Sequence, residues 1–163
     1  MDKRAFPSFY REHMNRIHRF VYYRVGGRRE VAEDLTQDIF IKAYEAFERY
    51  DPAISQSAWI YTIARNTVIN HYAKDRPGVT LEEIEDSVWV AEDAREQYAS
   101  DQEAQRLLEA LDRLDKEEAT LLRMKHLEGW SFEDLAEVFG KNAGALRVQA
   151  MRALRKVKNL IKR

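Results

Sequence analysis

The chain reads as an all-α protein built of two small helical domains joined by an acidic linker, and three observations predict this. Apolar residues recur at helical spacing through most of the 163 residues. No run of alternating β-branched residues marks a strand. The three prolines and six glycines fall mostly as punctuation, at Gly26-Gly27, Asp51-Pro52, Pro77-Gly78, Gly129, Gly140 and Gly144. The expected domains cover residues 1–77 and 104–163, with the linker at 78–103.

The first helix is expected over residues 4–25, with Phe9, Met14, Ile17, Phe20 and Val21 available for a core. A second is expected over 28–49, where Val31, Leu35, Ile39, Ala43 and Ala46 form one apolar face. A third is expected over 56–74, built on Ile60, Ile63, Ala64 and Thr67. The stretch 79–100 is acidic with isolated apolar residues, and fits a solvated tether or a tether holding one short helix. Beyond it Leu107, Leu108, Leu111 and Leu114 make a stripe, and Asp115 has the place of an N-cap with Glu118 at the third helical position. Ser131-Phe132-Glu133-Asp134 has the form of a capping box opening a short helix that ends at Gly140, and Asn142 can cap the next.

Bulk properties describe a globular protein: 45% apolar and 34% charged residues, with a formal net charge of −1. The absence of cysteine excludes disulfides and thiolate metal sites. The first residues, Met1-Asp2-Lys3-Arg4-Ala5-Phe6-Pro7, lack the apolar run of a signal peptide, and no stretch reaches membrane-spanning length. A cytoplasmic protein without membrane insertion is therefore expected. The near-zero net charge hides a segregation. Residues 80–103 hold nine acids against the single base Arg95, whereas Lys141, Arg147, Arg152, Arg155, Lys156, Lys158, Lys162 and Arg163 have no acid among them. A phosphate backbone responds to the local field rather than the total. Alone, the chain should bind DNA weakly.

A short capped helix over 131–139, a glycine turn and a longer basic helix over 143–161 have the spacing of a helix-turn-helix. On the last helix Leu146, Ala150, Ala153, Val157 and Leu160 form an apolar stripe. The other face carries Gly144, Arg147, Val148, Met151, Arg152 and Arg155, with Asn142 at the helix start. Arginine forks read guanine edges, and Val148 or Met151 can meet a thymine methyl. Gly144 and the open amides around it suit a phosphate. On the second helix Asp34, Gln37, Asp38, Ile41 and Glu45 line up at helical steps on the outward face, acids around an apolar centre, as protein-docking helices often present. The outward face of the third helix is expected to present Thr62, Arg65, Asn66 and Ile69. Trp59 fits a core position better than a stacking platform.

Three segments carry a resemblance. Residues 32–44 (AEDLTQDIFIKAY) resemble the core-polymerase-binding helix of sigma factors, 58–66 (AWIYTIARN) resemble the strand-opening segment of their extracytoplasmic function (ECF) group, and 130–140 (WSFEDLAEVFG) resemble the first helix of sigma domain four. They stand in the family's order over nearly the whole chain. The resemblance implies a sigma-70 family factor that directs RNA polymerase core to promoters. It implies that Asp34, Gln37, Asp38 and Ile41, with Glu45 on the same face, bind the β′ coiled coil. The loop 50–57 and Asn66 would capture an unstacked base of the −10 element, with Thr62, Arg65 and Ile69 beside them. Asn142, Gly144, Arg147, Val148, Met151, Arg152 and Arg155 would face the −35 element, and residues 122–127 would lie where this domain meets the β flap. An anti-sigma factor is the further partner implied.

Departures from the family pattern stand at Ala145, where a threonine is usual, at Gln149, where a base is usual, and at Asn70-His71-Tyr72-Ala73-Lys74-Asp75, which is less basic than typical. They bear on the promoter sequence and binding strength rather than the fold. His13, His18, His71 and His126 have no metal-ligand spacing, and no phosphate loop or nucleophile motif occurs. No catalytic residue, cofactor, metal or small-molecule substrate is expected. Two other readings exist: a free-standing helix-turn-helix regulator that does not bind polymerase core, and a helical interaction module without DNA affinity. The acidic stripe of the second helix together with the 59–66 segment separates the sigma reading from the regulator.

Overall fold

The computed structural model describes residues 1–78, 102–126 and 128–163. The expected linker therefore lies almost wholly outside the described residues, as does Leu127. Every described element is helical. The chain divides into two compact units, Met1–Ala91 and Glu92–Arg163.

The first unit is three helices preceded by a single 3₁₀ turn: α1 (Phe6–Arg24), α2 (Arg29–Ala46) and α3 (Gln56–Asp75). Helices α1 and α2 reverse through Gly26 and Gly27, both left-handed at φ 70° and 75°, a conformation that costs a Cβ-bearing residue and not glycine. The Gly27 amide donates to the Tyr22 carbonyl at 2.9 Å, satisfying an end group of α1. A 3₁₀ turn, Phe47–Arg49, follows α2, and Ser55 caps α3 by accepting from the Ala58 amide at 3.1 Å.

Burial on α2 differs from the expected stripe. Ala32, Thr36, Ile39, Phe40 and Ala43 are buried, while Val31, Leu35 and Ala46 are only half-buried. Two small residues, Ala32 and Thr36, lie on the packed face, and the Thr36 hydroxyl is satisfied by the Ala32 carbonyl at 2.6 Å. Met14 is likewise half-buried. Trp59 is half-buried rather than fully in the core as expected, and it joins Phe9 (5.7 Å between ring centroids), Phe47 (6.2 Å) and Tyr50 (5.0 Å) in an aromatic cluster. The far end is tied by the Tyr72 hydroxyl, which donates to the Arg24 carbonyl at 2.7 Å.

The second unit holds α4 (Gln102–Asp112), α5 (Lys116–His126), α6 (Phe132–Phe139) and α7 (Ala143–Ile161). Helix α4 begins two residues before the domain start expected at 104. The caps fall where the sequence placed them: Asp115 accepts from the Glu118 amide at 2.8 Å, Ser131 from Asp134 at 3.0 Å, and Asn142 from Gly144 at 2.7 Å. Gly140 ends α6 in the left-handed conformation at φ 62°. Leu121, Met124, Trp130, Leu135, Leu146 and Ala153 are fully buried. No described helix is long and apolar enough to cross a membrane.

Candidate functional site

The outward face of α2 is open. Asp34, Gln37, Ile41 and Glu45 are exposed and Asp38 is half-buried, its carboxylate 3.0 Å from Lys42 Nζ one turn on. Ile41 is 57% exposed, a large apolar side chain in water at the centre of a polar rim. It borders a groove of about 530 Å³ lined by Phe6, Tyr10, Phe40, Tyr44 and the α2 residues Thr36, Gln37 and Glu45. Phe6 meets Tyr44 edge-on at 5.1 Å, and Tyr10 meets Phe40 at 4.8 Å. This aromatic floor was not read from the sequence, because Phe6 and Tyr10 stand at core-like helical spacing on α1.

On α3, Thr62 and Asn66 are exposed and Arg65 is half-buried. Ile69 is 6% exposed and belongs to the core, so it cannot stand on the outward face as expected. Helix α3 packs on both α1 and α2 and buries Ile60, Ala64, Thr67, Val68 and Ile69, an arc too wide for a single stripe. The Thr62 hydroxyl donates back to the Ala58 carbonyl at 3.0 Å, whereas the Asn66 side chain has no partner among the described residues. The loop before α3 is internally tied: Asp51 accepts from the Ala53 amide at 2.9 Å, the Ile54 amide donates to the Asp51 carbonyl at 3.0 Å, and the Tyr50 hydroxyl donates to the Ile54 carbonyl. Burial, with the Asp51 charge beside it, pushes the Tyr50 hydroxyl up from its ordinary value, so it stays a protonated donor.

On α7 the apolar stripe is buried as expected, except that Leu160 is half-buried. Gly144, Arg147, Val148, Met151, Arg152 and Arg155 are all exposed on the other side. Arg152 and Arg155 make no ion pair among the described residues. Two expectations change. The Gly144 amide is taken by the Asn142 cap and is not open to a phosphate; a Cβ there would stand 3.0 Å from the Asn142 Oδ1. Arg147 is not solitary: its guanidinium pairs with Glu133 at 2.7 Å and lies 5.3 Å from the Phe132 ring centroid. Glu117 on α5 accepts from Lys141 and from Gln149 Nε2 (3.0 Å), anchoring the turn and the middle of α7 together. Those two bonds, Lys141 first, hold the Glu117 carboxyl below the usual glutamate range. Gln149, one of the departures noted in the sequence, is thus part of the scaffold. Leu122 and Met124 are buried, so within 122–126 only Arg123, Lys125 and His126 offer surface.

Two stretches match models of one family: residues 9–77 match Sigma-70 region 2, and 104–157 match Sigma-70, region 4. The chain belongs to the sigma-70 family of RNA polymerase sigma factors. Within it the chain is of the ECF type. It is 32% identical over 160 residues to the ECF RNA polymerase sigma factor BldN of Streptomyces coelicolor, the match covering 96% of this chain and 60% of that protein. It is 30% identical to the RNA polymerase sigma factor CarQ of Myxococcus xanthus, covering 96% of this chain and 89% of CarQ. The solved complex of the sigma factor RpoE with the anti-sigma factor NepR from Bartonella quintana shares the fold, with TM-score 0.53 and 25% identity over 95% of this chain and 97% of that one. In this sigma factor the α2 and α3 faces lie within the region 2 match, and the exposed edge of α7 from Asn142 to Arg155 lies within the region 4 match.

Proposed function

We propose that this sigma factor binds RNA polymerase core, carries it to promoters and assists strand opening at initiation. Residues 1–77 bind core through Asp34, Gln37, Asp38, Ile41 and Glu45 of α2, against the β′ coiled coil. The Tyr50–Ile54 loop and Thr62, Arg65 and Asn66 of α3 take an unstacked base of the −10 element. Unstacking costs a few kcal/mol, and the exposed Asn66 amide, without a partner among the described residues, offers both a donor and an acceptor to a base edge. Residues 104–163 read the −35 element as duplex through Arg147, Val148, Met151, Arg152 and Arg155, with the surface left near 123–126 meeting the β flap. Residues 78–103 act as an acidic tether between them. The family consists of initiation factors rather than enzymes, and the work is done in the cytoplasm, at the nucleoid when in holoenzyme. An anti-sigma factor is the second protein partner: RpoE of Bartonella quintana, similar along nearly its whole length, is held by one.

The observation that carries the reading is the pairing, in one chain, of an exposed apolar residue ringed by acids on α2 with an exposed row of arginines on a capped α7, each inside its own region match. The test is transcription in vitro with purified bacterial core and a promoter library. Promoter-selective initiation, with comigration of chain and core, is expected. Duplex-site binding without any association with core would instead mark a free-standing helix-turn-helix regulator.

A further inference from the structure

The pair formed by Arg147 and Glu133 has a geometry that a solvated surface charge lacks. Glu133 lies in the first turn of α6 and Arg147 in the second turn of α7, fourteen residues apart. One nitrogen, Nη2, donates to Glu133 at 2.7 Å, and the guanidinium carbon lies 5.3 Å from the Phe132 ring centroid. The same ring, half-buried at the start of α6, lies 4.7 Å from Lys125 Nζ, so two cations share it. Both partners of the pair are more than half exposed, at 53% and 69%, so the contact adds little to stability. Its effect falls on the arginine's freedom. A guanidinium is a planar fork of five donors, and holding one nitrogen while the plane rests near a ring limits which edge remains to meet a base. Ordering a long side chain before association removes part of the cost of ordering it on association.

We infer that Glu133 is a positioning residue for base recognition: through Phe132 and the carboxylate, α6 presets the Arg147 fork so that it discriminates one base of the upstream element. The inference rests on the proposed reading of α7 as the helix that enters duplex DNA. Glu133 also has an opposing effect. A carboxylate at the DNA-facing end of a helix-turn-helix repels phosphate, so it lowers affinity for every sequence while sharpening choice at one position. Removing its charge should therefore move affinity and specificity in opposite directions, which a merely structural side chain would not do.

The experiment uses holoenzyme reconstituted from core and full chain, with promoters randomised over the upstream element. Arg147→Ala should flatten base preference at one position, roughly tenfold, as loss of a bidentate contact does. Glu133→Gln should flatten the same position by about threefold, raise binding to unrelated DNA, and leave the melting temperature of the free chain unchanged. Glu133→Asp should restore part of the preference. In the Arg147→Ala background Glu133→Gln should flatten nothing further. Unchanged preference in Glu133→Gln, or equal flattening in the Arg147→Ala background, overturns the inference and leaves the proposed function standing. If Arg147→Ala itself leaves every position intact, the assignment of this arginine to the −35 element fails, and the inference with it.

Discussion

Glu118 and Lys156 form an ion pair buried at one end only: their atoms lie 2.6 Å apart, with the glutamate side chain 9% exposed and the lysine 56%. The second carboxylate oxygen of Glu118 is buried and finds no hydrogen-bond partner among the described residues. This places the electrostatic debt on α5, and the lysine of α7 relieves it.

The two halves of that pair should respond unequally to substitution. Lys156→Met leaves a buried carboxylate uncompensated and should destabilise the second unit by about 1–3 kcal/mol, less than for a fully buried pair because Lys156 is half in water. Glu118→Gln removes the charge and keeps the shape, and should cost under about 1 kcal/mol. Urea denaturation followed by circular dichroism measures both; equal losses would refute the asymmetry.

Asp38 and Ile41 should be separable from the fold. Asp38→Arg and Ile41→Asp alter side chains on the open face of α2, so melting of the free chain should stay within about 0.5 kcal/mol, as for ordinary surface changes. Core binding, measured by fluorescence anisotropy, should weaken by tenfold or more, since an exposed apolar centre with a polar rim is where binding energy concentrates. Retained affinity in both variants would remove α2 from the interface.

Ile69 and Asn66 stand three residues apart and should fail in different ways. Ile69→Ala empties a core position and should cost about 2–4 kcal/mol of stability, with DNA contacts affected only through unfolding. Asn66→Ala should leave the melting temperature alone and slow open-complex formation, read by permanganate reactivity of the melted strand. A stable Ile69→Ala variant would contradict the burial described.

The pH dependence of the second unit should show Glu117. Its folded carboxyl sits below the ordinary value of about 4.3, so the unfolded chain binds more protons in that window. Stability from this group is therefore complete above the unfolded value and is lost as pH falls through the folded one. Thermal melts between pH 7 and pH 3 should show a shallower acid decline in Glu117→Gln than in the wild type. Parallel curves would mean that Lys141 and Gln149 do not hold the carboxylate in solution.

Much of this was legible in the residues, and the parts that were not share a cause. Caps are local chemistry, so Asp115, Ser131 and Asn142 could be placed from the residue and its neighbours two and three positions on. The stripe Leu146-Ala150-Ala153-Val157 was legible because α7 packs on one side only and keeps its other face in water. Ile69 was misplaced because α3 is packed by two helices, and a residue that looks outward from one neighbour looks inward toward the other. On α2 the small residues Ala32 and Thr36 won burial over Val31 and Leu35, a matter of fit that hydrophobicity alone does not rank. The Glu133–Arg147 and Glu117–Gln149 bonds join different helices, and no periodicity within either one reports them.

The double-glycine reversal between α1 and α2 has a consequence for biogenesis. It makes the first two helices a hairpin of neighbours along the chain, closed by a loop of a few residues, with little entropy to lose before contacts form. As the nascent polypeptide leaves the ribosome, that hairpin can close while α3 is still inside the exit tunnel, and it offers α3 a ready surface when it emerges.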